Sequence, residues 1–312
     1  TVRRLTAAGL STVALLLCGC GQLVRATSDF TFNEPWKDYK RVEVRVRNGN
    51  VELRATDVPD VRVSGRKSVG GMTFAEAEEN LGKITVAAAA AADHPDTLCV
   101  EVSYPDELRS KSVGTDLVIQ VPMPCAANIH TTNGVIHVEH LAGDVELGTS
   151  NGRVAARDIK GPVHVETSNG RIEVESVVGD LIASTSNGEI AVKGIRGRCD
   201  LETSNGSVQA EDVEGDVKAG TSNGNIRVEA VPPAGGKVDL RSSNGQIHAT
   251  LPEDLAAEYT LTTTNGRVSV SLGKAVMKLV DSSRRRFHAI VNDGGGTVLA
   301  RTSNGSITVD SR

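Results

Sequence analysis

The sequence predicts an all-β chain: a parallel β-helix, or solenoid, of coils about 18 residues long, with an irregular β-rich N-terminal cap containing one short helix. Three observations carry this expectation. Asn-Gly recurs at Asn133, Asn151, Asn169, Asn187, Asn205 and Asn223, each 18 residues after the last, then at Asn244 and Asn265 after steps of 21, with a final copy at Asn304. With Asn as position 1, apolar and mostly β-branched residues fill positions 4 and 6 and again 13 and 15, the two-residue alternation of half-buried strands. Glycine at position 2 of every copy, and at position 11 of the five copies from Asn133 to Asn205, excludes a helical reading.

At the N-terminus, Arg3 and Arg4 precede an apolar run from Leu10 to Leu17, then Gly19 and Cys20, the layout of an export signal. The run is too short to span a bilayer. Leu17-Cys18-Gly19-Cys20 resembles a bacterial lipobox, in which the final cysteine becomes the acylated N-terminus. Loss of Arg3 and Arg4 on cleavage takes the formal charge from −5 to −7. The expected organisation is a signal peptide at 1–19, a lipid-anchored tether at 20–36, an irregular β-rich region at 37–122 and solenoid repeats at 123–312.

Within the irregular region, Val42, Val44 and Val46, followed by Asn48-Gly49, Val51 and Leu53, read as an early coil. Thr73 to Lys83 reads as a helix opened by a capping box of Thr73 and Glu76, with Phe74, Ala77 and Leu81 inward, placed to cover the first open coil.

In the regular coils the inward set is expected at positions 4, 6, 9, 13 and 15, for example Ile172, Val174, Val177, Leu181 and Ala183. Asn-Gly is also the strongest type I′ hairpin signal, so a meander of antiparallel hairpins, or a propeller, is the competing fold. The fixed period favours the coil, because it stacks Ile136, Val154, Ile172, Ile190, Val208 and Ile226 in one column and Asn on Asn in another. Such amide ladders pair donor to acceptor from coil to coil. A right-handed coil is expected from the crossover rule for parallel strands. Position 7 reads Glu139, Arg157, Glu175, Lys193, Glu211, Glu229, alternating in sign until its last step. Near the end, Arg284, Arg285 and Arg286 stand where the next Asn-Gly is due.

Composition narrows the function. With net charge −5 and its cations dispersed, the chain lacks the broad basic footprint of a nucleic-acid binder. Aromatics are 3%, and Tyr259 is the sole one between Asn133 and Gly273, which leaves few stacking platforms for sugars or bases. Cys99, Cys125 and Cys199 show no CxxC spacing, so neither a metal site nor a cofactor is expected, and Cys99 with Cys125 is the one pair to test for a disulfide. Asp144, Asp180 and Asp216 share position 12 but lie two coils apart, about 9.6 Å, too far to share a calcium ion. Glu173 and Glu175, and His130, His137, His140 and His164, read as solvated surface residues, and the threonines from Thr149 to Thr221 as inward hydrogen-bonders. No catalytic residue is assigned.

Asp116-Leu117-Val118-Ile119-Gln120-Val121-Pro122, then Thr131-Thr132-Asn133-Gly134-Val135-Ile136 and the Gly-Asp-Val and Thr-Ser-Asn-Gly coils after it, resemble the bacterial β-strand-repeat putative adhesin family over roughly residues 40 to 312. The resemblance implies a β-solenoid in the cell envelope and transfers no catalytic residue. The expected function is thus a non-catalytic envelope surface protein, an adhesin or binding and scaffolding module, attached to the membrane through lipid at Cys20 and facing envelope polymer or protein. Arg284, Arg285 and Arg286 are the candidate contact for an anionic partner. Two alternatives stand beside this: a polysaccharide-acting β-helix enzyme, and a structural protein that self-assembles through uncapped coil ends, since only three residues follow Val309.

Overall fold

Alternating Val and Ile produce short strands that pair with their own counterparts one coil away. In the computed structural model, which describes residues 11–14, 24–108 and 110–312, Ile172–Val178 lies parallel between Val154–Lys160 and Ile190–Arg196, with Ile172 beside Val154 and Ile190. On the other face of the coil, Leu181–Asn187 lies between Val163–Asn169 and Cys199–Asn205. Asn187 is in register with Asn205, so the 18-residue period is the coil repeat and the hairpin meander is excluded.

Ile172, Val174, Val177, Leu181 and Ala183 are each at most 2% exposed, as the alternation requires. Their spacing is two residues from 172 to 174 but three from 174 to 177. A left-handed residue supplies the extra step: Asp158, Ser176 and Asp212 have φ of 54°, 59° and 53°, and Gly194 has 66° at the equivalent place. One such residue reverses the side-chain parity of the strand, which turns the apolar residue after it inward. Asp, Ser and Gly tolerate this conformation better than the β-branched residues around them.

Glycine at position 2 has another cause. A Cβ on Gly206 would sit 1.8 Å from the carbonyl oxygen of Gly188 in the preceding coil. The turns stack too closely for any side chain.

The chain divides into two compact units, Thr1–Gly152 and Arg153–Arg312. The early coil is regular: Arg41–Asn48 pairs in register with Ala126–Asn133, and Val51–Thr56 with Ile136–Glu139. Thr97–Ser103 and Val113–Pro122 pair with its opposite side, so this coil is interior. Antiparallel strands then continue both faces, Thr85–Ala90 on one and Val61–Gly71 on the other. Residues 24–34, expected within a polar tether, form the strand Val24–Glu34, paired along its whole length with Val61–Gly71. An open strand edge offers unmet backbone groups, and this segment satisfies them. Cys18 and Cys20 lie outside the described residues.

The helix is Phe74–Lys83, with Thr73 Oγ1 accepting from the Glu76 N–H at 3.2 Å. Ala77 and Leu81 are buried as expected, but Phe74 is 38% exposed and Asn80 takes an inward place. The helix packs on the antiparallel strands Val24–Glu34 and Val61–Gly71, not on the first coil. Gly71 permits the approach, since a Cβ there would lie 2.9 Å from the Ala77 nitrogen.

At the end of the second unit, chain order and stacking order part. Gly296–Asn304 lies between Lys237–Asn244 and Ala257–Asn265, and Ile307–Ser311 between Ile247–Leu251 and Val268–Ser271. The last coil in the sequence is therefore interior and Val309 is fully buried. The bare end inferred from the few residues after Val309 is not there. Instead, the hairpin Met277–Ser283 and Arg286–Val291 adds to the outer edge of Ala257–Asn265.

Candidate functional site: the ladders and the C-terminal hairpin

The asparagine column is a hydrogen-bonded ladder. In the second unit Asn187 Nδ2 donates to Asn169 Oδ1 at 2.9 Å, Asn205 to Asn187 at 3.0 Å, Asn223 to Asn205 at 2.9 Å and Asn244 to Asn223 at 2.9 Å. It continues through Asn304, which donates to Asn244 at 2.8 Å, and closes with Asn265, which donates to Asn304 at 2.9 Å. In the first unit Asn151 donates to Asn133 at 2.9 Å and Asn133 to Asn48 at 2.7 Å. The rungs are solvent-exposed, and each middle amide uses one donor and one acceptor within the ladder. Behind it, Thr185 and Thr203 are buried and donate to the carbonyls of Gly170 at 3.3 Å and Gly188 at 3.0 Å, the inward role expected of that column.

The outer charged columns are likewise engaged within the solenoid. Glu173 pairs with Arg153 and, at 2.8 Å, with Arg171, and Glu175 pairs with Arg157 at 3.3 Å. Glu229, which follows Glu211 in its column without an intervening cation, is met by Arg312 from the chain's last residue. Asp180 accepts from the Arg198 backbone N–H at 2.9 Å, Asp216 from that of Lys237 at 2.7 Å, and Asp144 pairs with Arg41 at 3.1 Å. These aspartates cap the next coil or bind a neighbouring cation. His137 rests on Glu139 at 2.7 Å and His164 on Glu166 at 3.5 Å. Among the described residues, no group of three or more His, Cys, Asp or Glu side chains is arranged to hold a metal ion.

Cys99, Cys125 and Cys199 are free thiols, so Cys99 and Cys125 are not bonded to one another. Burial pushes the Cys125 and Cys199 thiols up to about 12, which keeps them protonated and unreactive at neutral pH. Tyr259, also raised to about 12 by burial, is a core residue and no stacking platform.

The arginine run forms the turn of the C-terminal hairpin. Its backbone replaces the missing coil: Arg284 O accepts from Val268 N–H at 2.9 Å and Arg285 O from Thr263 N–H at 2.9 Å. The side chains are left for the surface. Arg286 meets Asp281 at 3.6 Å, while among the described residues Arg284 and Arg285 have no carboxylate within ion-pair distance. Beside them Val276, Met277, Leu279 and Val280 are 75%, 48%, 58% and 55% exposed. Sequence reasoning marked the arginines and missed these apolar neighbours, although an apolar run bounded by Lys274, Lys278 and the arginines is visible there.

A protein-family model described as Toastrack DUF4097 matches residues 34–310, nearly the whole chain. The chain belongs to the Toastrack family. The match bears out the resemblance drawn from the β-repeat motifs, and with it the solenoid of stacked coils. No curated protein matches this Toastrack chain. Solved structures similar to it include a putative adhesin from Bacteroides fragilis, 12% identical over 90% of this chain and 97% of that one, with a TM-score of 0.44. Another is a putative lipid binding protein from Parabacteroides distasonis, 13% identical over 90% and 96% of the two chains, TM-score 0.41. A third is a putative adhesin from the same organism, 10% identical over 92% and 97%, TM-score 0.38. At these scores the likenesses carry no argument about what this Toastrack protein binds.

Proposed function

We propose that this Toastrack solenoid is a non-catalytic binding or scaffolding module of the cell envelope, exported and held at the membrane surface by lipid on Cys20. The observation that supports this most is where its polar groups go. Asparagine amides, threonine hydroxyls, position-12 aspartates and, among the position-7 charges, Arg157, Glu175 and Glu229 are engaged in coil-to-coil contacts, which suits a rigid scaffold better than a cleft that must hold and polarise a substrate. Glu173 and Glu175, a carboxylate pair on one strand, each face arginine. Binding then falls to the surface groups left over, and Arg284, Arg285 and Arg286 are the contact proposed for an anionic envelope partner.

The test is a pull-down from envelope extract with the full chain carrying Cys20→Ser. Saturable capture of an envelope polymer or protein that is recovered chemically unchanged is the expected result. Release of shortened saccharides from that material would overturn the reading in favour of catalysis. Mass spectrometry of the mature N-terminus tests the anchor separately, and an unmodified Cys20 in membrane-bound protein would count against it.

A further inference from the structure

We propose that the C-terminal hairpin, Met277–Ser283 with Arg286–Val291, is a peripheral docking edge for an anionic lipid surface. This rests on the binding-module reading above and names the partner class for its arginine contact.

The hairpin is where one face of the solenoid outruns the other. Arg286–Val291 and Met277–Ser283 extend the face that carries Ala257–Asn265, while the opposite face ends at Val268–Ser271. Met277 and Leu279 are in register with Val291 and Ala289, and directly opposed residues in a sheet point the same way. Ala289 and Val291 are buried, whereas Met277 and Leu279, one strand further out, have no opposing sheet and stand open. Val280, in the bulge between Leu279 and Asp281, and Val276, before the strand, add two more exposed apolar side chains. All seven residues of this edge strand are exposed. Scattered apolar residues on a surface need no explanation, but a contiguous set on an edge strand does.

Charge selects the occupant. From residue 274 to 286 the cations are Lys274, Lys278, Arg284, Arg285 and Arg286 against Asp281 alone, a net of +4 in a chain of net −5. A second copy docked edge to edge would set this charge against its equal. A dissolved polyanion would satisfy the cations and leave four apolar side chains in water. The surface of an anionic bilayer satisfies both, taking the apolar groups at the headgroup boundary and the cations at the phosphates. The strand's outer backbone groups are unpaired with any further strand, so the edge stops at the wet interface and does not enter hydrocarbon.

The test uses the full chain carrying Cys20→Ser, sedimented with vesicles of phosphatidylcholine alone or mixed with phosphatidylglycerol, and in parallel with soluble polyphosphate. Three proteins are compared: this parent, Arg284→Glu with Arg285→Glu, and Leu279→Ser with Val280→Ser. Leu279, Val280, Arg284 and Arg285 are all exposed, and circular dichroism checks that the fold is kept. The expected result is that the parent prefers phosphatidylglycerol vesicles. The charge reversal should weaken that binding by about tenfold or more, and the serine pair should weaken it severalfold while leaving polyphosphate binding unchanged. If the serine pair binds vesicles as the parent does while the charge reversal abolishes binding, the edge is a polyanion site and the lipid inference is wrong. Equal vesicle binding by all three overturns the hairpin as the contact. The envelope pull-down is read separately, so a partner still captured by all three would leave the binding-module reading standing.

Discussion

At the scale of single residues, asparagine and glycine of the turn do different work. Asn187 both donates to Asn169 and accepts from Asn205, yet the ladder is open to water, so its loss strands no buried group. Asn187→Ala should therefore cost about 0.5–1.5 kcal/mol, the net value of hydrogen bonds exchanged with solvent. Asn304, last in the sequence, is a middle rung with partners at Asn244 and Asn265, whereas Asn265 ends the ladder. Asn304→Ala should thus lower the urea midpoint as much as Asn187→Ala does, and Asn265→Ala less. Equal effects from Asn265 and Asn304 would show that the ladder bonds contribute nothing measurable. Gly206 is the harsher position, because the Gly188 carbonyl occupies the space a Cβ would need. Gly206→Ala should destabilise by about 3 kcal/mol, the upper range for overpacking, or unfold the coil locally. A thermal melt that matches the parent's would refute the close stacking.

At the scale of the coil, the repeat is a unit of register. Deleting Asn169 to Ser186 removes one period and sets Ile190 where Ile172 stood, against Val154, with every column restored. Deleting the nine residues from Asn169 to Val177 would instead put turn residues against strand residues. The whole-repeat deletion should keep a cooperative melt and its β-sheet circular dichroism, and the half-repeat deletion should lose both. Equal damage from the two would argue that the coils are not interchangeable. The inward positions 4, 6, 9, 13 and 15 were legible from residue type alone, because burial keeps them to Val, Ile, Leu, Ala and, at position 13 of one coil, Cys199. The left-handed corner at His140, Asp158, Ser176, Gly194 and Asp212 was also written in the chain, as a column that carries no β-branched residue. It went unread because it lies on the solvent side, where polar residues draw no notice.

At the scale of the whole molecule, each unit places a chain-terminal coil inside its stack. In the first unit the coil of Arg41–Asn48 and Val51–Thr56 has partners on both sides. In the second, the coil of Gly296–Asn304 and Ile307–Ser311 does. Val268–Ser271 pairs with Ile307–Ser311, and among the described residues Ala257–Asn265 is joined by strand pairing to the preceding coils only through Gly296–Asn304. A chain ending before Gly296 should consequently lose hydrogen-exchange protection from Ala257 through Val291 while keeping it at Lys237–Asn244. Retained protection at Ala257–Asn265 would mean that its coil can dock directly on the Asn244 coil and that the insertion is dispensable.

Period, inward columns and amide ladder were determined by the sequence itself, because each depends on a residue and its counterpart 18 positions away, and that spacing is written in the chain. Coil order at the two chain ends, the strand at Val24–Glu34 and the exposed apolar edge beside the arginines were decided only by tertiary structure. The physical reason is the repeat. Coils with the same inward set and the same turn present nearly equivalent upper and lower faces, so local pattern does not say which coil stacks on which. That choice is made by the non-repeating segments that must find edges to pair with, and the hairpin bearing Arg284 and Arg285 is one of them.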